Sequence, residues 1–243
     1  MATRKRLSKR ALIARLPEEG SPGVTVYSRP FETPVAEALP EAESLLEAAS
    51  ESDTGSVLFI TDDEAALVIP PFPQPETVSF DAINATPLVE LLDRSRMLGV
   101  LLLRLGGYTV GILRDDSIID SKTGTRFVKN RHRKGGQSQR RFDRIREKQT
   151  DELFEAACET AKRMLVSYDA QIEHVFLGGT KQTLIAFRKE CAFLDRFGPR
   201  LRSHVLTVTS DPRRASLDDI AHEIWSSDVY TLARTGTPTS TPG

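Results

Sequence analysis

The sequence predicts an α/β (α+β) fold in which a mixed β-sheet is flanked by helices. Three short apolar segments follow one another at residues 98–105, 108–113 and 117–120, a pattern typical of consecutive strands. Further along, segments with helical spacing alternate with short apolar segments. Helices packed against a mixed sheet bury both kinds of segment, so the pattern favours this architecture.

The part of the chain before these strands is expected to contain a basic, flexible tail over 1–22 and a small N-terminal subdomain over 23–95. The tail lacks apolar periodicity, which is typical of mobile segments. The subdomain is predicted to comprise a strand at 23–29, a helix at 35–49, a hairpin of 57–60 and 66–69, and an extended link at the proline-rich 70–75.

A second domain is predicted over 96–230, and a disordered tail over 231–243. After its three strands the domain continues with a long helix at 138–167. Phe142 and Ile145 begin a series of apolar residues at three- and four-residue steps, which predicts a buried helix face. The elements that follow are predicted as a strand at 174–177, a helix at 181–197, a strand at 204–208 and a helix at 217–225.

The composition is that of an ordinary globular protein, with 39% hydrophobic and 28% charged residues. No run of about 18 apolar residues is present, so no membrane-spanning helix is expected and the predicted location is the cytoplasm. Cys158 and Cys191 lack metal-ligand spacing and are predicted to be reduced, buried thiols. No metal, nucleotide or other cofactor is expected, because Gly178-Gly179-Thr180-Lys181 is not a Walker motif and Thr180 is better interpreted as a helix cap.

The net charge of −1 conceals a strongly basic segment over 126–148. Ten arginines and lysines oppose two carboxylates there, an excess of eight positive charges, so the rest of the chain sums to about nine negative charges. Arg140, Arg144 and Lys148 recur every four residues and form one basic stripe on the predicted helix. Such a segment is suited to bind phosphate groups. The run Arg4-Lys5-Arg6 is either a second RNA contact or a solvated tail.

The most informative stretch is Asn130-Arg-His-Arg-Lys-Gly-Gly-Gln-Ser-Gln-Arg-Arg-Phe142. It closely resembles the Gly-Gly-Gln (GGQ) loop and following helix of the middle domain of archaeal and eukaryotic class-1 peptide release factors. Counterparts exist there for the basic residues before the loop, for the serine after Gln137 and for the arginine-rich helix. The resemblance covers residues 96–228. The chain is most similar to the release-factor-like domain of the VMS/ankyrin-zinc-finger quality-control proteins, in particular to a short bacterial (actinobacterial/chloroflexi-like) branch.

The resemblance implies a codon-independent peptidyl-tRNA hydrolase that frees nascent chains from stalled large ribosomal subunits, with rRNA and peptidyl-tRNA as partners. Codon independence is expected because the sequence has no recognisable counterpart of the codon-reading domain. The implied catalytic residues are Gly135, Gly136 and Gln137, and the intact GGQ favours hydrolysis, since some members of the family carry a looser Gly-x-x-Gln. The implied RNA-binding residues are Arg131, His132, Arg133, Lys134, Arg140, Arg141, Arg144 and Lys148.

Elementary chemistry supports these roles. Gly135 and Gly136 lack Cβ atoms, so the backbone can approach the end of the tRNA closely. The backbone N–H of Gln137 can stabilise the oxygen that gains negative charge, a contribution of about 2.7–4 kcal/mol in known oxyanion sites. Its side-chain amide can orient the attacking water. Ser138 is expected to cap the helix and not to act as a nucleophile.

Two other functions are compatible with a basic loop. A nuclease could cut the tRNA near its acceptor end, although the sequence shows no cluster of acids, metal ligands or histidines for phosphodiester chemistry. A non-catalytic tRNA-binding or ribosome-binding protein could place the loop in the peptidyl-transferase centre without cleaving anything.

Overall fold

The computed structural model describes residues 2–34, 43–128 and 137–234, with side chains from residue 45 onward in the second range and from residue 141 onward in the third. Contacts divide the chain into two compact units. The first unit combines Met1–Arg94 with Trp225–Gly243, and the second comprises Ser95–Ile224. The chain therefore leaves the first unit once and returns to it near its C-terminal end.

The helices and strands are distributed over the two units in chain order. The N-terminal stretch of the first unit contains β1 (Thr3–Ser8), α1 (Lys9–Ile13), β2 (Val24–Ser28), α2 (Glu43–Ser50), β3 (Ser56–Ile60), β4 (Glu64–Ile69), β5 (Val78–Phe80) and α3 (Thr86–Asp93). The second unit contains β6 (Met97–Arg104), β7 (Gly107–Arg114), β8 (Ser117–Thr125), α4 (Gln137–Ser167), β9 (Ile172–Gly179), α5 (Lys181–Glu190), a 3-10 helix (Ala192–Arg200), β10 (Leu201–Leu206) and α6 (Ser216–Ile224). The chain then returns to the first unit through β11 (Ser226–Ala233).

The sheet of the first unit has the strand order β1-β11-β4-β3-β2-β5, and all its described pairings are antiparallel. The predicted hairpin of 57–60 and 66–69 is present as β3 and β4. The structure differs from the expected flexible tail over 1–22, because β1 and α1 are ordered elements. β1 pairs with β11, with Arg4 opposite Tyr230. β11 also includes residues predicted to belong to the second domain and to the C-terminal tail, and their pairing with β1 and β4 places them in the first unit.

The sheet of the second unit is mixed, which confirms the predicted fold class. Its order is β10-β9-β6-β7-β8. β10, β9 and β6 are parallel, whereas β6, β7 and β8 are antiparallel. A Cβ atom built on Gly99 would lie 2.7 Å from Leu165 of α4, and one built on Gly111 would lie 2.6 Å from Leu217 of α6. Gly99 and Gly111 point to opposite faces, because Val100 is opposite Gly111 in the register. The sheet is therefore covered by α4 on one face and by α6 on the other.

The two cysteines form a disulfide, so the prediction of reduced thiols is wrong. Cys158 lies in α4 and Cys191 directly follows α5, and their Cα atoms are 5.6 Å apart. The predicted single helix over 181–197 is also corrected, because α5 ends at Glu190 and Cys191 has a non-helical backbone conformation. The bond joins the C-terminal half of α4 to the segment that leads into the 3-10 helix.

Removal of this disulfide is expected to lower the stability of the protein. The bond closes a loop across a sequence separation of 33, and a loop of this length predicts a loss of about 3–4 kcal/mol in the free energy of unfolding. The measurement is urea unfolding of the oxidised protein and of the Cys158→Ala/Cys191→Ala variant. Reductant should destabilise only the parent protein. Equal stability of the oxidised parent and the variant would show that the bond contributes nothing.

Candidate nucleic-acid interface

α4 enters the hydrophobic core only with its C-terminal half. The buried residues of the helix begin at Leu153 and Phe154 and continue through Ala157, Ala161 and Leu165. None of the residues 141–152 is buried, a stretch that is roughly 18 Å long at the rise of an α-helix. The predicted apolar face is thus corrected at its beginning, because the side chain of Phe142 is 47% exposed. The N-terminal half of α4, residues 137–152, therefore contributes no described residue to the buried core, and it is called the arm below.

The arm begins at Gln137, the last residue of the GGQ motif. Gln137 is the first residue of α4, whereas Gly135, Gly136 and the predicted RNA-binding residues over 131–134 lie outside the described residues. Ser138 is the second residue of the helix, so its predicted role as the cap is not what the structure shows. Because the first four N–H groups of a helix have no intrahelical acceptor, the N–H of Gln137 has no acceptor within α4.

Three described basic residues of the arm, Arg141, Arg144 and Lys148, are exposed, whereas Arg146 is partly buried. Lys148 has a side-chain exposure of 81% and lies 3.8 Å from Glu152. An exposed ion pair of this kind contributes little and is readily exchanged for another anion. Arg140 lies in the same helix by its backbone. The structure therefore brings the described part of the predicted basic stripe to the surface that follows the motif.

The described segment that precedes residue 129 carries an aromatic residue that the sequence interpretation missed. Phe127 has 75% exposure and follows β8 by two residues. Its neighbour Val128 packs against the core of the second unit, and the backbone N–H of Arg126 donates to the carbonyl of Gly106 at 3.0 Å. The segment 126–128 is thus anchored, and the ring of Phe127 is exposed. An aromatic residue in a basic segment is a signal for base stacking that could have been used.

The opposite end of α4 is held by ionic contacts. Asp169, in the turn after α4, accepts a hydrogen bond from Arg200 at 2.8 Å and contacts Arg196. The hydrogen bond from Arg200, together with the charge of Arg196, holds the pKa of Asp169 below its ordinary value. Arg200 also donates to the carbonyl of Ile172 at 3.1 Å. These contacts fix the base from which the arm extends.

Two other features of the described residues bear on the predicted site chemistry. Thr180 is the N-cap of α5 and accepts a hydrogen bond from the backbone N–H of Thr183, which confirms the predicted cap. No group of three or more metal-ligating side chains occurs among the described residues. In the same part of the chain, no helix combines the length and apolar composition needed to cross a bilayer.

Comparison with known proteins defines the class. The chain is 33% identical over 97 residues to peptide chain release factor subunit 1 of Archaeoglobus fulgidus, a match that covers 40% of this chain and 24% of the relative. The same factor of Pyrococcus abyssi is 27% identical over 188 residues, a match that covers 71% of this chain and 45% of the relative. The chain thus spans less than half the length of these curated relatives. Among solved structures, archaeal termination factor aRF1 matches with 16% identity and a TM-score of 0.42, covering 90% of this chain and 73% of that one.

A match to a family model identifies the family of the chain. Residues 96–230, more than half of the chain, match the model described as the actinobacteria/chloroflexi VLRF1 release factor. The chain belongs to this release factor family, which confirms the resemblance inferred from the loop and helix.

The basic stripe provides a test of the interface. Replacing Arg144 and Lys148 by alanine is expected to weaken binding to RNA. The slope of log affinity against log salt should fall by about one for each phosphate that is no longer neutralised. The fold should be retained because both side chains are exposed. The matched control is Lys162→Ala/Arg163→Ala, which removes two exposed charges from the C-terminal half of the same helix. Equal weakening by both pairs would argue against a localised interface.

Proposed function

We propose that this chain is a codon-independent peptidyl-tRNA hydrolase that frees nascent chains from stalled large ribosomal subunits. Its membership in a release factor family gives the translation-related role. The finer assignment is supported by the helical arm, which begins at Gln137 and presents exposed cations directly behind the motif. A loop at the end of such an arm can reach an ester surrounded by RNA phosphates.

In the proposed reaction, a water molecule attacks the carbonyl carbon of the ester that joins the peptide to the terminal ribose of the tRNA. The bond between that carbon and the ribose oxygen breaks, and the ribose oxygen leaves with a proton as a hydroxyl group. The products are a peptide with a free carboxyl group and an intact tRNA. The chemistry needs a donor for the carbonyl oxygen and a means of holding the water.

In this proposal Gln137 supplies the donor for the carbonyl oxygen and also holds the water. As the first residue of α4 it has a backbone N–H with no intrahelical acceptor, at the end of the helix where the dipole favours negative charge. This N–H is proposed to donate to the oxygen that becomes negative in the transition state. The side-chain amide is proposed to orient the water. Gly135 and Gly136 are proposed to admit the ester because they carry no side chain that would collide with it.

The partners in this proposal are rRNA and peptidyl-tRNA. The residues proposed to contact their phosphates are Arg131, His132, Arg133, Lys134, Arg140, Arg141, Arg144 and Lys148. Phe127, whose ring is exposed, is proposed to stack on a base of the same RNA. Cations and a stackable ring at the two ends of one loop suit an RNA ligand better than a protein ligand.

The test is the identity of the products formed on stalled large subunits that carry labelled peptidyl-tRNA. Free peptide with full-length tRNA supports hydrolysis of the ester. A shortened tRNA still attached to the peptide would show nuclease activity instead, and stable binding without any cleavage would show a non-catalytic ribosome-binding protein.

A further inference from the structure

The second unit contains a cleft between α4 and the segment that follows α5. The volume of the cleft is about 620 Å³, within the range of small-molecule sites. One wall is a row of residues on α4, and the other is formed by Glu190, Ala192 and Phe193. Cys158 also lines the cleft and is only partly buried, whereas its disulfide partner Cys191 is 1% exposed and belongs to the core. A small molecule in the cleft can therefore reach the disulfide on the side of Cys158.

The spacing of charged residues along α4 makes this cleft acidic. One face of the helix carries a series of charged residues at steps of three and four, namely Lys148, Glu152, Glu155, Glu159 and Lys162. Asp151 and Glu190 complete the lining, so that five carboxylates against two ammonium groups leave a net charge of −3. Glu152 is paired with Lys148 at 3.8 Å, and the other four carboxylates form no ion pair within the described part of the chain. Cys158 thus lies in a negative electrostatic field.

The disulfide is the reactive group of the cleft. Among the described residues, the carboxylates do not form a group that could hold a metal ion. A disulfide is attacked by thiolates, and the sulfur that is attacked depends on access. Because Cys158 lines the cleft and Cys191 is buried, access selects Cys158. The cleft therefore provides an entry route for a thiol together with a charge that discriminates between thiols.

We propose that Cys158 is a site of thiol–disulfide exchange that accepts small cationic thiols and disfavours anionic thiols. The thiolate of the incoming molecule attacks the sulfur of Cys158, and the bond between Cys158 and Cys191 breaks. Cys191 leaves with the electron pair and takes a proton from solvent, while Cys158 is left in a mixed disulfide with the incoming thiol. This step releases the covalent link between α4 and the segment that follows α5. The site does not depend on the proposed hydrolase activity.

Full reduction requires a second molecule of the same thiol. Its thiolate attacks the sulfur of the first molecule, so that the two small thiols are oxidised to their own disulfide and Cys158 is released as a thiolate, which takes a proton from solvent. Two electrons pass from the small thiols to the protein in total. An ammonium group on the incoming molecule is attracted by the unpaired carboxylates, whereas a sulfonate group adds to the repulsion of the thiolate.

The experiment compares the rates at which three small thiols reduce the disulfide of the full chain at low salt. Cysteamine is cationic, 2-mercaptoethanol is neutral and 2-mercaptoethanesulfonate is anionic. Their rates on bis(2-hydroxyethyl) disulfide, a neutral compound, give the intrinsic reactivity of each thiol. Relative to this reference, the protein should favour cysteamine over the sulfonate by about tenfold, and high salt should diminish this preference. Mass spectrometry of acid-quenched samples should place the first adduct on Cys158.

Glu155→Gln/Glu159→Gln should reduce the preference to about threefold or less, because two carboxylates of the cleft are neutralised. Both side chains are exposed, so the fold should be retained. The matched control is Asp218→Asn/Asp219→Asn, which neutralises two exposed carboxylates of α6, on the other face of the sheet. This control should keep the parental preference.

Four results would overturn the proposal. An equal loss of preference in both double variants would assign it to the overall charge of the protein. A preference no greater than that of the reference disulfide would show that the cleft does not discriminate between thiols. A first adduct on Cys191 would place the attack at the other sulfur. A rate of reduction that is independent of thiol concentration would show that the disulfide is reached only after unfolding.

Discussion

Gly136→Ala is expected to reduce single-turnover release of peptide from stalled large subunits by at least about 100-fold. The substitution adds one methyl group at a position where the proposed mechanism requires the backbone to approach the ester without a side chain or with positive φ. Binding to the large subunit should change little, because the cations of the loop and of the helical arm are retained. The thermal unfolding temperature should also be close to that of the parent protein.

Two substitutions of Gln137 separate the contributions of its side chain and its backbone. Gln137→Ala removes the amide that orients water but keeps the N–H, so release should be slowed less than in Gly136→Ala. Gln137→Pro removes the N–H as well, and proline is well accommodated at the first position of a helix. Loss of an oxyanion donor corresponds to about 10²–10³ in rate. The proline variant should therefore be slower than the alanine variant by about that factor.

The parallel measurement is binding of each variant to the same subunits. Release at the parental rate by Gly136→Ala and Gln137→Ala would refute the GGQ mechanism and favour the nuclease or the binding protein. Equal rates for the alanine and proline variants of Gln137 would refute the role of the backbone N–H while leaving the hydrolase assignment in place.

The second unit could be predicted from sequence because most of its elements are encoded locally. β6 is a continuous apolar run that is buried throughout except for its last residue, and the alternation and turns around β7 follow from neighbouring residues. The first unit is less predictable. β1 has mostly exposed side chains, and the strand that completes its hydrogen bonds, β11, lies at the other end of the chain. A pairing across such a sequence distance cannot be deduced from either segment alone.

The candidate interface also combines features that are encoded locally with features that depend on distant parts of the chain. The exposure of Arg144 and Lys148 follows from a spacing of four residues, a local property. The position of the arm outside the core cannot be predicted from local spacing. Phe142 and Ile145 continue the apolar spacing of the buried half of the helix, yet neither is buried. Burial depends on where the sheet ends, which the helix sequence alone does not encode. The disulfide escapes prediction for a related reason, since the approach of Cys158 to Cys191 is set by the packing of α5 against α4.

Gly179→Ala is expected to destabilise the protein by roughly 3 kcal/mol or more. Gly179 ends β9 with φ of +146°, and a Cβ atom there would lie 2.3 Å from the carbonyl oxygen of Leu103. Leu103 is the partner of Gly179 in the sheet, so neither backbone can move without disturbing the pairing of β6 with β9. The glycine is thus required by packing and needs no phosphate ligand to explain it.

Gly106→Ala is the control that isolates this collision. Gly106 also has positive φ, at +116°, but a Cβ atom there has no other atom within 4 Å. Its substitution should therefore carry only the conformational strain, about 1–2 kcal/mol. The free energies of unfolding of both variants would be measured in urea. Equal losses would mean that the strands separate readily at Leu103, and Gly179 would then be a conformational requirement alone. A larger loss in Gly179→Ala would show that close contact between β6 and β9 at this end of the sheet contributes directly to the stability of the second unit.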